Sequence, residues 1–94
     1  MIVRISNEGQ YRVDDSRLER LNELDDAVVR AVEEGDESAF GATFGELLRY
    51  VRDEGTQVGD DELETSDFIL PPADLSFAEA GEEFTGDGLI PDPA

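Results

Sequence analysis

Five carboxylates within eight residues, Asp60, Asp61, Glu62, Glu64 and Asp67, form the densest set of potential ligands in this 94-residue chain. Oxygen donors of this kind suit a hard cation such as Ca²⁺ or Mg²⁺. Their spacing is not that of an EF-hand loop, which requires acids at alternating positions, a central Gly and a closing Glu. The set therefore reads as a solvated acidic loop with diffuse counter-ions, and no metal site is expected. Acid–base work by paired carboxylates would need one of them in a desolvating pocket, and the chain has no His, Cys or Lys to complete such a site. Ser16, Ser38, Ser66 and Ser76 stand where caps or turns use a hydroxyl, and none has a base to activate it. With nucleophile, base and oxyanion donors not assembled, the sequence predicts neither an enzyme nor a cofactor site.

The seven basic residues are all Arg. Arg17 and Arg20 share one side of a predicted helix and Arg49 and Arg52 one side of the next, each pair at i, i+3. Such pairs could receive an acidic partner. The favoured reading is internal pairing, Arg20 with Glu19 or Glu23 and Arg49 with Glu46 or Asp53, each a weak surface contact. Against these seven stand 25 Asp and Glu, giving a net charge of −18. That balance excludes a nucleic-acid interface, because no basic stripe is available to neutralise phosphates. It also implies a solvent that tolerates self-repulsion. Multimolar salt contracts the Debye length to about 3 Å, so the composition points to the cytoplasm of an extreme halophile.

The elements that would position these groups follow from pattern. Val3 and Ile5 alternate with Arg4 and Ser6, Tyr11 and Val13 with Gln10 and Arg12, and Asn7-Glu8-Gly9 supplies a hairpin turn between them. Ser16-Arg17-Leu18-Glu19 has the form of a capping box. Leu18, Leu21, Leu24 or Asp25, Val28, and Ala31 or Val32 then recur at helical spacing up to Gly35. Asp36 caps a second helix with Phe40, Phe44, Leu47, Leu48 and Val51 on one face, closed by Gly55. The short connection makes the two helices, about 16–34 and 37–54, antiparallel. Gly41 and Gly45 at i, i+4 suggest close approach of another helix, either the first helix or one from another protein.

Thr56 to Thr65 reads as an acidic loop, and Asp67 to Leu70 as a third strand for the hairpin, ended by Pro71-Pro72. Ser76 opens a helix of at most about two turns. All four Pro and 13 acids, with no basic residue, fall beyond Arg52. The expected fold class is therefore α+β: a small antiparallel sheet, the hairpin plus a strand near 67–70, packed on the helical hairpin. Residues 1–84 form one compact domain, and 85–94 a flexible acidic tail. No apolar run approaches a membrane span, and Met1 to Ile5 reads as a strand rather than a signal peptide. A cytoplasmic location without direct membrane insertion is expected.

Met1-Ile-Val-Arg-Ile5, Glu8-Gly-Gln-Tyr11, Leu21-Asn-Glu-Leu-Asp-Asp26, Gly55-Thr-Gln-Val58, Asp60-Asp-Glu-Leu63 and Ser66-Asp-Phe-Ile-Leu-Pro-Pro-Ala-Asp74 together resemble the PspA-associated protein family, from Met1 to about Glu83. The acidic stretch from Glu82 to Ala94 departs from that pattern. The resemblance implies a small cytoplasmic protein linked to PspA, the helical ESCRT-III-like protein of the phage-shock envelope-stress response, and at the membrane only through that partner. It carries no catalytic residues to transfer. It implies a non-enzymatic adaptor or regulator. The residues themselves offer Tyr11, Arg49, Tyr50 and Phe77 as candidate contacts. The alternative from another class is a structural module that self-associates through Gly41, Gly45 and exposed apolar residues.

Overall fold

Alternation decides the first two elements of the computed structural model, which describes residues 1–59 and 64–84. Strand β1 (Ile2–Ile5) and strand β2 (Gly9–Arg12) form an antiparallel hairpin pairing Val3 with Tyr11 and Ile5 with Gly9. In the turn Asn7 takes a left-handed φ of 66°, a conformation Asn tolerates better than most residues. Val3, Ile5, Tyr11 and Val13 point to one face and are buried.

Helix α1 (Leu18–Glu33) and helix α2 (Glu37–Glu54) cover that face. Gly35, at φ 68°, ends the first helix, and the Asp36 carboxylate accepts from the Ala39 amide to cap the second. The short connection sets them antiparallel, and across the packing Arg17 pairs with Glu54 at 3.3 Å and Arg20 with Glu46 at 3.8 Å. Leu21, Leu24, Val28, Val29 and Ala31 from α1 meet Phe40, Phe44, Leu47, Leu48 and Val51 from α2 in the core. The start of α1 differs from expectation. Asp14, not Ser16, is the cap: its carboxylate accepts from the Ser16 amide and opens a 3-10 turn over Asp15–Arg17 that leads into α1.

After α2 the chain forms a two-residue strand β3 (Thr56–Gln57) antiparallel to β2, inside the stretch expected to be loop. The residues described next, from Glu64, lie on the outer face of the sheet and lead into strand β4 (Phe68–Leu70), giving the order β3-β2-β1-β4. Two clamps hold this stretch. The Gln10 amide donates to the Glu64 carbonyl and the Ser66 hydroxyl while its oxygen accepts from the Glu64 amide. The Asp67 carboxylate accepts from the Ile2 amide at 2.7 Å, and the Asp67 amide donates to the Ile2 carbonyl at 2.8 Å. This stretch delivers the chain to the end of the sheet where β1 begins, so β4 runs parallel to β1. The sheet is therefore mixed, and the expected all-antiparallel pairing is corrected for the third strand.

Helix α3 (Phe77–Glu83) begins with the expected Ser76–Glu79 capping box. It ends on Phe84, 1 % exposed, whose ring stands edge-on to Phe44 at 5.7 Å. Residues 85–94, expected to be a tail, and Asp60, Asp61 and Glu62 of the acidic loop lie outside the described residues.

The glycines separate into two kinds. A methyl group at Gly55 would meet the Val51 carbonyl oxygen at 2.6 Å and the Tyr11 Cβ at 3.0 Å, where α2 turns into β3 against the sheet. At Gly41 and Gly45 it would meet nothing within 4 Å. The expected close approach of the first helix at these positions is thus corrected: α1 packs on the opposite face of α2. Gly55→Ala should destabilise the protein by about 1–3 kcal/mol through overpacking. Gly45→Ala should stabilise it by up to about 1 kcal/mol by restoring helix propensity. Urea unfolding of the two variants checks both, and equal effects would refute the distinction.

The molecule measures 39 × 29 × 20 Å, so a Debye length of about 30 Å at 0.01 M salt lets each carboxylate repel nearly every other. On desalting, the amides of Asp67 and Ser6, which bind β4 to β1, should lose exchange protection before helical circular dichroism falls. Full protection of both in dilute neutral buffer would show that repulsion does not govern this edge.

Candidate functional site

The four expected contact residues do not converge. Tyr11 is a core residue at 9 % exposure and faces the helices, which removes it as a surface contact. Its alternation with Val13, in register with Val3 and Ile5, is the sequence signal that assigns it inward. Phe77 is half-buried, its ring 5.7 Å from Phe40 near the start of α2. Tyr50 is half-buried against the core near the other end of that helix. Arg49 alone is fully on the surface, and among the described residues it makes no ion pair. The expected pairing of Arg49 with Glu46 or Asp53 is therefore corrected, because Glu46 leans across to Arg20. The expected Arg20–Glu23 pair is present at 3.2 Å.

Around Arg49 the outer side of α2 carries little bulk. Gly41, Ala42 and Gly45 lie there, and the seam with α1 is a shallow groove of about 210 Å³ lined by Ala27, Arg30, Ala31, Glu34, Ala39 and Thr43.

The strongest polar cluster was not singled out from sequence. Glu8, at the tip of the β1–β2 hairpin, accepts from Arg52 Nε at 2.7 Å and Nη2 at 2.6 Å and from the Tyr11 hydroxyl at 2.8 Å. The bidentate fork fixes geometry as well as charge and ties the hairpin to the end of α2. Arg52 hydrogen bonding holds the Glu8 carboxyl below its ordinary range, while burial and the neighbouring Glu8 charge raise the Tyr11 phenol. Each shift favours the pairing already present, so the cluster is a structural tie with no proton to give or take near neutrality. Glu8, Gly9, Gln10 and Tyr11 form one quartet in which Glu8 binds α2, Gln10 clamps the crossing connection and Tyr11 fills the core.

Two further polar side chains, Asn22 and Asp25, are buried on α1 at 7 % and 0 % exposure, and neither is without a partner. Among the described residues no three His, Cys, Asp or Glu side chains gather as metal ligands, and no helix is long and apolar enough to cross a membrane.

Because the Glu8 pKa is depressed on folding, its contribution is present above the unfolded value near 4.5 and is lost as pH falls through the lower folded value. The pair is partly exposed, so Glu8→Gln should cost only about 1 kcal/mol at pH 7. That corresponds to a fall in Tm of roughly 4–8 °C. The difference between variant and parent should shrink as pH falls below the unfolded value and vanish only below the lower folded one, and melting at fixed salt across pH checks it.

Comparison with known proteins gave no significant match among curated proteins and none among solved structures. A family model did match, that of the PspA-associated proteins, over residues 1–92. With nearly the whole chain covered, including the Glu8–Tyr11 quartet and both partners of the Asp67 clamp, this protein belongs to the PspA-associated protein family.

Proposed function

We propose that this protein is a non-enzymatic adaptor or regulator that associates with PspA in the envelope-stress response of a halophile, acting in the cytoplasm and reaching the membrane only through that partner. The observation that carries this reading is the family match across residues 1–92. The outer side of the helical hairpin supports it physically. The lack of bulk at Gly41, Ala42 and Gly45 would let a second helix approach closely, and Arg49 would meet an acidic side chain on it. In concentrated salt the electrostatic part is screened, so apolar contact at this face carries the association.

A second reading rests on the same open space above Gly41 and Gly45: the face would join copies of this chain into a structural module. Sedimentation at multimolar KCl separates the two, since a discrete homo-oligomer that excludes PspA supports self-association.

The direct test is co-purification from native cells in high salt. PspA should be recovered with the parent protein, and several-fold less with Gly45→Leu combined with Arg49→Glu. Reproducible absence of PspA from the parent preparation would overturn the association. Undiminished recovery with the double variant would move the contact to another surface.

A further inference from the structure

The two edges of the sheet are unlike. The β3 edge is two residues long, and Thr56 and Gln57 offer no apolar side chain. At the other edge β4 presents Ile69, 58 % exposed and the one large hydrophobic residue so exposed among the described residues. Phe68 and Leu70 turn toward the helices, in register with Val3 and Ile5, so Ile69 projects from the outer face. The Leu70 carbonyl accepts from the Ser6 amide on the β1 side. Alternation along the ladder then turns the N–H and C=O of Ile69 to the outer edge, where among the described residues no further strand pairs.

A concave surface with some apolar residues in it lies at each end of this strand. Beyond its end, a depression of about 510 Å³ has Ile69, Pro72 and Leu75 in it and Asp74, Glu79 and Glu83 around it. Before its start, a second of about 490 Å³ is lined by Met1, Leu18 and Phe68 with Asp15 and Asp67. No arginine lines either depression, and Asp74 and Glu83 make no ion pair among the described residues. Arg4, paired with Ile69 across the ladder, stands one strand inward. The edge thus combines backbone groups unpaired among the described residues, the exposed Ile69 beside a concave surface, and a rim of carboxylates. A second copy of this chain would bring a further net charge of −18 to that rim.

We propose that the β4 edge takes up an extended segment of a partner protein, one with Lys or Arg placed between apolar residues, as an added strand. The backbone of that segment bonds Ile69, and one alternating set of its side chains covers the Ile69 side chain and enters the depression that Ile69 lines. Its basic residues meet Asp74, Glu79 and Glu83. This surface is separate from the outer side of the helical hairpin and does not depend on PspA being the partner.

The test uses the full chain and a nine-residue peptide alternating Lys with Val or Ile, at a salt concentration that keeps the protein folded. Binding should slow exchange of the Ile69 amide and shift resonances along Asp67–Leu70 more than elsewhere. At the lowest salt at which the Asp67 and Ser6 amides stay protected, a peptide with Glu for Lys should bind more weakly, and the difference should narrow as salt is raised. Ile69→Pro removes only the N–H facing the outer edge, a position where an edge strand accepts Pro, and should weaken binding at least tenfold with helical circular dichroism unchanged. Two N-methylated peptides, blocked on alternate residues, test the backbone without altering the protein: one set of methyl groups should abolish binding and the other should not. No binding to the parent protein, equal binding of the Glu peptide at that lowest salt, or binding that leaves Ile69 exchange unchanged or survives both methylation patterns would each overturn the proposal.

Discussion

The apolar seam between the sheet and the helical hairpin is the contact on which the rest depends. Strands of four, four, two and three residues cannot stand alone in water. The helices, with polar outer faces, likewise need a surface to cover. Val3, Ile5, Tyr11, Val13 and Leu70 from the sheet meet Leu21, Val28, Leu47 and Val51 from the helices. At Gly55 the margin is smallest, because α2 leaves this seam with its backbone against Tyr11 and Val13.

Charge is organised around that seam. Four of the seven arginines join segments distant in sequence: Arg12 to Glu64, Arg17 to Glu54, Arg20 to Glu46 and Arg52 to Glu8. Each is a surface pair of small individual worth. Together they place the scarce positive charge where separate elements meet. The Gln10 clamp is different in kind, since an uncharged amide holds the crossing connection independently of the ionic atmosphere.

Local features were legible in the sequence and long-range ones were not. The two main helices, the Gly35 terminus, the Asp36 cap and the Ser76–Glu79 box depend on residues within a turn or two of each other, and pattern exposes them. The parallel entry of β4 and the burial of Gln10 depend on where the connection between β3 and β4 crosses, which no local period records. The alternation of Tyr11 with Val13 marks it as inward-facing, and it is buried. Ile69 carried a readable signal as well: in a run of three apolar residues on one strand, one must face away from the core. The Glu8–Arg52 fork spans 44 positions, and nothing near either residue announces the other.

The clamp between Ile2 and Asp67 closes a span of 65 positions, and this bears on how the chain is made. The β1–β2 hairpin and then the helical hairpin can assemble as they emerge, since their contacts are local. The strand that pairs with the free edge of β1 arrives only after both of these hairpins have been made. Until then β1 exposes an unpaired backbone edge, the kind of surface that recruits strands from neighbouring chains. A chain arrested before Leu70 would therefore keep its helices yet carry a sticky margin, so biosynthesis is most exposed to aggregation during the passage of residues 58–70.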